Sequence, residues 1–265
     1  EMVSGIYEFS PYPFRHHNFF IPFRLFKKTG DSDKLIVKMP QKLAFRPLSL
    51  RSLNNNDSLL KKDFIITADQ YQYLYSWFYK YDYKLSAGFM LDETELGNLS
   101  VTSRRDSETG TSVLSSYAFT EGYEIEVSHM TGDTTVSSFE LTEDDETLMK
   151  ETTLWIRSDE SGKRERQYIL SIGNIDIKRG SELDSIEVYL DGVLQKTAAA
   201  KIIDNTDTDG SVCHKRDILL TFDDGTTAKL SELIDPVRDI LRNLVDSLRS
   251  MNFAKNVVDY IAISI

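Results

Sequence analysis

Between about Val113 and Leu230, apolar and polar residues alternate in short runs, and each run ends in turn-forming residues. A chain patterned this way can bury one face of a strand and wet the other, and it has little room for anything else. In Tyr123-Glu124-Ile125-Glu126-Val127 the apolar residues hold the odd positions and the carboxylates the even ones. Ile186, Val188 and Leu190 repeat the pattern and run straight into Asp191-Gly192, a pair suited to the positive φ angles of a two-residue hairpin turn. Ile218, Leu220 and Phe222 do the same ahead of Asp223-Asp224-Gly225, with Thr226 to Leu230 as the return strand. Thr131-Gly132-Asp133 and the polar run 158–166 supply further reversals, leaving Thr134 to Leu141, Thr147 to Arg157 and Glu165 to Ile172 as strands.

With further runs near Phe89 and Val101, the pattern predicts nine to eleven strands at about eight- to twelve-residue spacing. Such spacing leaves no room for crossover helices, so the sheet should be antiparallel. The predicted class is mainly β (α+β): a large antiparallel meander forming a barrel or a sandwich. One helix is predicted over residues 236–251. Asp235 is a good N-cap and Pro236 a good first helical residue, while Val237, Ile240, Leu241, Leu244, Val245, Leu248 and Met251 keep helical spacing. The β-branched tail Val257 to Ile265 reads as a final strand.

The first 62 residues differ in composition. They carry eleven Lys/Arg against five Asp/Glu, whereas the whole chain has net charge -11, so a basic arm precedes an acidic body of charge -17 over 63–265. Five of the six prolines (Pro11, Pro13, Pro22, Pro40, Pro47) fall in this arm, which predicts extended, irregular backbone outside a central sheet. Tyr7, Phe9, Tyr12, Phe14, Phe19, Phe20, Phe23 and Phe26 are too many aromatics for a solvated tail, so the arm should lie on its own body or on a neighbour's. At 40% hydrophobic residues the chain can build a sizeable core without metal or disulfide, and its one cysteine, Cys213, excludes an internal disulfide. No run approaches the ~18 apolar residues of a membrane span. No secretory signal pattern opens the chain, and Glu1 as first residue is what a processed form would show.

From Tyr71 to Tyr83 every odd position is aromatic: Tyr71, Tyr73, Tyr75, Trp77, Tyr79, Tyr81 and Tyr83. As a strand this puts seven rings on one face. As a helix, Thr67-Ala68-Asp69-Gln70 would be a capping box and Tyr71, Leu74, Tyr75 and Phe78 a stripe. The unbroken alternation and the β preference of Tyr and Trp favour the strand. Such a face can stack sugars or bases, line an apolar cavity, or simply pack beneath the arm.

No catalytic, cofactor or metal motif stands out. Asn205, Asp207, Asp209 and Gly210 imitate the opening of a calcium loop, but the twelfth position, where a bidentate Glu belongs, is Arg216, so a polar turn is expected. Cys213 and His214 are adjacent and would point to opposite faces of a strand. His16, His17 and His129 have no metal-ligand spacing. Glu124 and Glu126 share a face, as period-2 solvated positions do. Asn56-Asp57-Ser58 and Asn98-Leu99-Ser100 satisfy the glycosylation sequon, which matters only in a secreted chain. The acidic charge argues against nucleic acid except through the basic arm.

The expectation is therefore a non-enzymatic structural or protein-interaction protein without cofactor or metal, a subunit of a larger assembly and a homo-oligomer that uses its arm for contacts. The candidate contact surface is Phe14, Phe19, Phe20, Phe23 and the tyrosine-rich stretch 71–83. The alternative is a carrier of a lipid or other apolar small molecule in a calycin-like β-barrel, since the order of strands, helix and final strand is similar in outline to lipocalin-type barrels, though none of that family's motifs is present.

Overall fold

The structure, a computed structural model, describes residues 3–10, 26–40, 61–76, 80–106, 110–157, 164–180, 186–196, 199–205 and 215–264. The protein is mainly β, with one C-terminal helix. A 14-stranded sheet has the pairing order β14-β13-β12-β11-β10-β9-β8-β7-β6-β5-β4-β3-β1-β2, and three more strands form a second sheet, β15-β16-β17. From β4 onward, sequence neighbours are sheet neighbours, as the spacing predicts. The meander starts earlier than expected, at β4 (Phe64–Ser76), and ends at β14 (Val193–Leu194). The hairpin near Phe222 belongs to the second sheet. The chain divides into two compact units: residues 1–124 with 244–265, and residues 125–243.

In the first unit, β1 (Gly5–Phe9), β2 (Phe26–Gly30) and β3 (Leu35–Met39) come from the arm. The expectation of an arm outside the sheet is corrected here: β1 pairs parallel with β3 and antiparallel with β2, and β3 pairs with β4. The prolines punctuate the arm without entering these strands, while Tyr7, Phe9, Leu35, Val37 and Met39 alternate as fully as any body strand and are buried. β5 (Lys80–Leu91), β6 (Thr94–Asp106), β7 (Gly110–Phe119) and the first residues of β8 (Tyr123–Met130) complete the unit's strands. Phe64, Ile66, Leu85, Phe89, Leu99 and Phe119 line its core.

The helix α1 spans Leu230–Ser264. Two expectations fall with it. Pro236 is inside the helix and not at its first position, and residues 257–264 continue the helix in place of a final strand. The period decides this: Met251, Ala254, Val258 and Ile261 recur at helical spacing and are all buried, and that burial outweighs the weak strand preference of their β-branched members. The C-terminal part of α1 lies against the β5–β7 face of its own unit. Tyr117 there donates to Asn252 Oδ1 at 2.9 Å, and Met251 borders Gly97.

The second unit holds the rest of β8, β9 (Thr134–Glu143), β10 (Glu146–Arg157), β11 (Arg164–Ile172), β12 (Ile175–Arg179), β13 (Ile186–Leu190), β14, β15 (Ala199–Asn205), β16 (Lys215–Thr221), β17 (Thr227–Lys229) and the start of α1. Its core gathers Leu170, Ile172, Ile175, Ile177, Val188, Leu220 and Phe222, with Leu230, Leu233 and Ile234 of α1 packed against them. Asp217, buried on β16, accepts from the Ser231 backbone N–H at 3.2 Å and from the Ser231 hydroxyl at 2.5 Å, so a distant carboxylate caps the helix. The Asp191-Gly192 turn has φ of +52° and +76°, as the sequence predicts. Asp144-Asp145 adopts the same conformation without glycine, at +48° and +68°.

In β9 and β10 neither face is deeply buried; of the two strands only Leu141 is in the core. Their side chains meet across the strands. Glu140 faces Lys150 at 2.7 Å, Ser128 and Ser138 share a hydrogen bond at 2.6 Å, and Arg166 lies 5.4 Å over the Trp155 ring.

Candidate functional site

The tyrosine-rich stretch is extended, as the alternation predicts, but it is two strands and not one. β4 and β5 pair antiparallel with Tyr73 opposite Tyr83 and Tyr75 opposite Tyr81. In this register odd positions pair with odd positions, so the rings of both strands come to the same face. Tyr71 and Tyr83 meet edge to face at 5.9 Å, Tyr73 and Tyr81 at 5.8 Å, and Tyr81 stacks on Tyr83 at 6.4 Å. Trp77 and Tyr79 lie outside the described residues, as do Phe14, Phe19, Phe20, Phe23, Cys213, His214, His16 and His17.

The ladder has a covered end and an open end. At the covered end the Tyr83 hydroxyl donates to Asp259 Oδ1 of α1 at 2.8 Å, Lys255 donates to Asp259 Oδ2 at 2.7 Å, and the same ammonium lies 4.8 Å over the Tyr83 ring. Tyr71's hydroxyl oxygen is buried near this carboxylate but outside hydrogen-bond geometry. Burial, with the charge of Asp259 behind it, pushes both the Tyr83 and the Tyr71 phenols well above their ordinary range. Both phenols therefore stay protonated at neutral pH. The Tyr83 bond to Asp259 ties the helix to this face of the sheet.

Exposure then rises along β4: Tyr73 is 42%, Leu74 59% and Tyr75 62% exposed. At this end an open groove of about 500 Å3 is lined by Leu74, Tyr75, Tyr81, Lys80, Arg104 and Arg105, with Asp82 and Asp106. Lys80 and Arg104 both face Asp106, at 3.7 and 4.0 Å, beyond the distance of a strong charge-assisted hydrogen bond. Asp82 accepts from Gln72 at 3.3 Å. Arg105 has no carboxylate within ion-pair distance among the described residues. The sequence reading missed this groove. Only the register shows that Lys80, Asp82, Arg104 and Asp106 share one face, whereas Arg105, opposite Tyr81, belongs to the face of the rings.

Two other candidates have hydrogen-bond partners of their own. Glu124 accepts from the Ser116 hydroxyl, and His129 Nδ1 contacts the Ser137 hydroxyl at 2.8 Å on a solvated sheet face. Residues 206–214 of the calcium-like loop lie outside the described residues. Among the described residues no group of three or more His, Cys, Asp or Glu side chains could hold a metal ion, and no helix is long and apolar enough to cross a membrane. No protein-family model matches the chain, and no curated protein or solved structure is significantly similar to it.

Proposed function

We propose that this chain is a non-enzymatic structural or protein-interaction protein, a subunit of a larger assembly, with the open end of the tyrosine ladder as a contact surface beside the arm. The observation behind this reading is the rising exposure of the rings along β4, from Tyr73 at 42% to Tyr75 at 62%. Tyrosine and arginine are the residues that interfaces enrich, because a rigid ring or a planar guanidinium contributes large contact area for little lost freedom. A carrier function draws less support: the strand order ends at β14 and β2, without a closed ring to hold a ligand among the described residues.

Deleting the arm does not test the proposal, because the arm supplies β1 to β3 and five core side chains. The test keeps the chain whole. A photo-crosslinking residue at position 75, expressed in the protein's own source, should give a discrete protein adduct, while one at Arg238 on the exposed helix face should not. No adduct at position 75, or the same adducts at both positions, would refute the surface.

A further inference from the structure

We infer that copies of this chain associate head to tail through the second unit, the acidic tip of the β9–β10 hairpin of one copy docking on an arginine face at the other end of β10 in the next. The inference rests on the reading of the chain as an assembly subunit and adds a second contact surface, with its occupant named.

The strand register builds the arginine face. Past the core row of Leu170, Ile177 and Val188, the same side of β10, β11 and β12 carries Trp155 and Arg157, Arg166 and Tyr168, and Arg179. Arg157 and Arg166 are diagonal neighbours across the strands, and so are Arg166 and Arg179, which sets the three in a line at a spacing of about 7–8 Å. All three are exposed, and none has a carboxylate within ion-pair distance among the described residues. The only carboxylate on this side of β10 to β12 past the register shift near Leu148 is Glu151, and the Tyr168 hydroxyl engages it. Arg166 lies over the half-exposed Trp155 ring, which holds the guanidinium in place while its N–H donors stay without an acid.

The matching acid stands at the opposite end of the same strand. Glu143 pairs with Glu146 across the hairpin and Asp144-Asp145 forms its turn, so four carboxylates follow one another with no cation within ion-pair distance among the described residues. Like charges directly opposite on a ladder disfavour the pairing, and docked cations relieve that repulsion. One chain cannot satisfy both ends. β10 spans Glu146–Arg157, and at about 3.3 Å per residue its ends lie about 35 Å apart. Two copies can, because a hairpin tip is only two strands wide and the forked guanidinium donors each take a carboxylate two N–H groups at a time. Tip and face are different surfaces, so the contact is heterologous and repeats from copy to copy, growing a chain or closing a ring. The net charge of -11 opposes crowding of copies, but salt screens it beyond about 8 Å at physiological ionic strength, whereas the docked charges lie within that length.

Sedimentation velocity of the whole purified chain at physiological ionic strength tests this. Exposed ion pairs are weak singly, so the concentration should run from about 10 µM to about 1 mM. The mass of the unaltered chain should grow with concentration. A chain with Arg157→Glu, Arg166→Glu and Arg179→Glu should not grow, nor should one with Glu143→Lys, Asp144→Asn, Asp145→Asn and Glu146→Lys, whose asparagines tolerate the left-handed turn. Mixed in equal amounts, the two altered chains should associate again, because the basic tip of one fits the acidic face of the other; matched melting curves confirm that both are folded. An unaltered chain that stays monomeric at about 1 mM, altered chains that each grow as the unaltered one does, or a mixture that stays monomeric would overturn the inference. So would a monomeric chain that binds labelled polyglutamate or heparin, which would assign the arginine face to another acidic partner. A position-75 cross-link without self-association would refute the head-to-tail contact alone; absence of both would refute the interaction reading with it.

Discussion

Replacing Gly97 with alanine should open the first unit. Gly97 has φ of +140° and sits at a bulge where Phe89 pairs with Gly97 but Met90 pairs with Glu95, leaving Leu96 unpaired. A Cβ there would lie 2.1 Å from the Ala118 carbonyl oxygen and 3.0 Å from Met251 Cε. The methionine can swing away. The carbonyl cannot, because it belongs to β7, so β6 and β7 must part by about an ångström. Backbone strain at such a φ costs about 1–3 kcal/mol. Losing one or two ladder hydrogen bonds adds about 1 kcal/mol each. The sum, about 2–5 kcal/mol, is a large share of a domain's typical stability. Gly88→Ala is the control: its Cβ would meet only Asn98 Oδ1, at 3.1 Å, the end of an exposed side chain that can rotate. Native-state hydrogen exchange should show β6 and β7 amides exchanging more than about thirtyfold faster in Gly97→Ala, with Gly88→Ala near wild type and the second unit's strands serving as internal reference. Exchange in Gly97→Ala within tenfold of wild type would refute the reasoning.

Asp217→Ala should lower stability by about 1–3 kcal/mol, since it removes the acceptor for Ser231 at the start of α1. In a double-mutant cycle with Ser231→Ala, monitored by helical circular dichroism on heating, the two losses should be less than additive; strict additivity would deny the cap. Glu140 is held below its ordinary 4.5 chiefly by the hydrogen bond from Lys150, against a smaller opposing effect of burial. A depressed carboxyl adds stability above its unfolded value and loses it as pH falls. The deficit of Glu140→Gln in urea denaturation should therefore be present at neutral pH and close as pH drops below 4.5; a deficit independent of pH would show that the pair contributes nothing. Tyr71 and Tyr83 resist ionisation while unfolded phenols ionise near 10.0. The unfolded chain thus releases protons that the folded one keeps, and stability should fall as pH rises past that value. Tyrosinate absorbance should lag and then appear together with unfolding; complete ionisation of a chain that stays folded would contradict the burial.

Much of this architecture can be read from alternation. The strands from Thr134 to Ile172 and the Asp191-Gly192 hairpin follow from period-2 patterning and turn chemistry. The tyrosine stretch shows where alternation alone runs out. Because Tyr73 pairs with Tyr83, a hairpin keeps every odd residue on one face just as a single long strand would, and the two have the same sequence signature. Turns such as Asp92-Glu93 and Asp144-Asp145 adopt positive φ without glycine, so aspartate alone, a weaker signal than Asp-Gly, marked these reversals. In the arm, proline frequency obscured three short strands, one before Pro11 and two between Pro22 and Pro40. In the tail, Met251, Ala254, Val258 and Ile261 keep helical spacing while Val257, Val258, Ile261 and Ile263 favour strands locally, and the burial that decides between the two is a tertiary effect. The groove depended on cross-strand neighbours about twenty residues apart, which no local pattern encodes.

The open faces of β9 and β10 bear on how the second unit responds to temperature. Unfolding apolar surface raises heat capacity by about 0.45 cal/K/mol per Å2, whereas unfolding polar surface lowers it by about 0.26. Strands held by Glu140 with Lys150, by Ser128 with Ser138 and by Arg166 over Trp155 release mostly polar and backbone surface. They therefore subtract from the heat-capacity increment that the Leu170 to Phe222 core adds. A calorimetric scan should give this unit a smaller increment per residue than an ordinary globular domain, and with it a flatter stability curve that changes little on cooling.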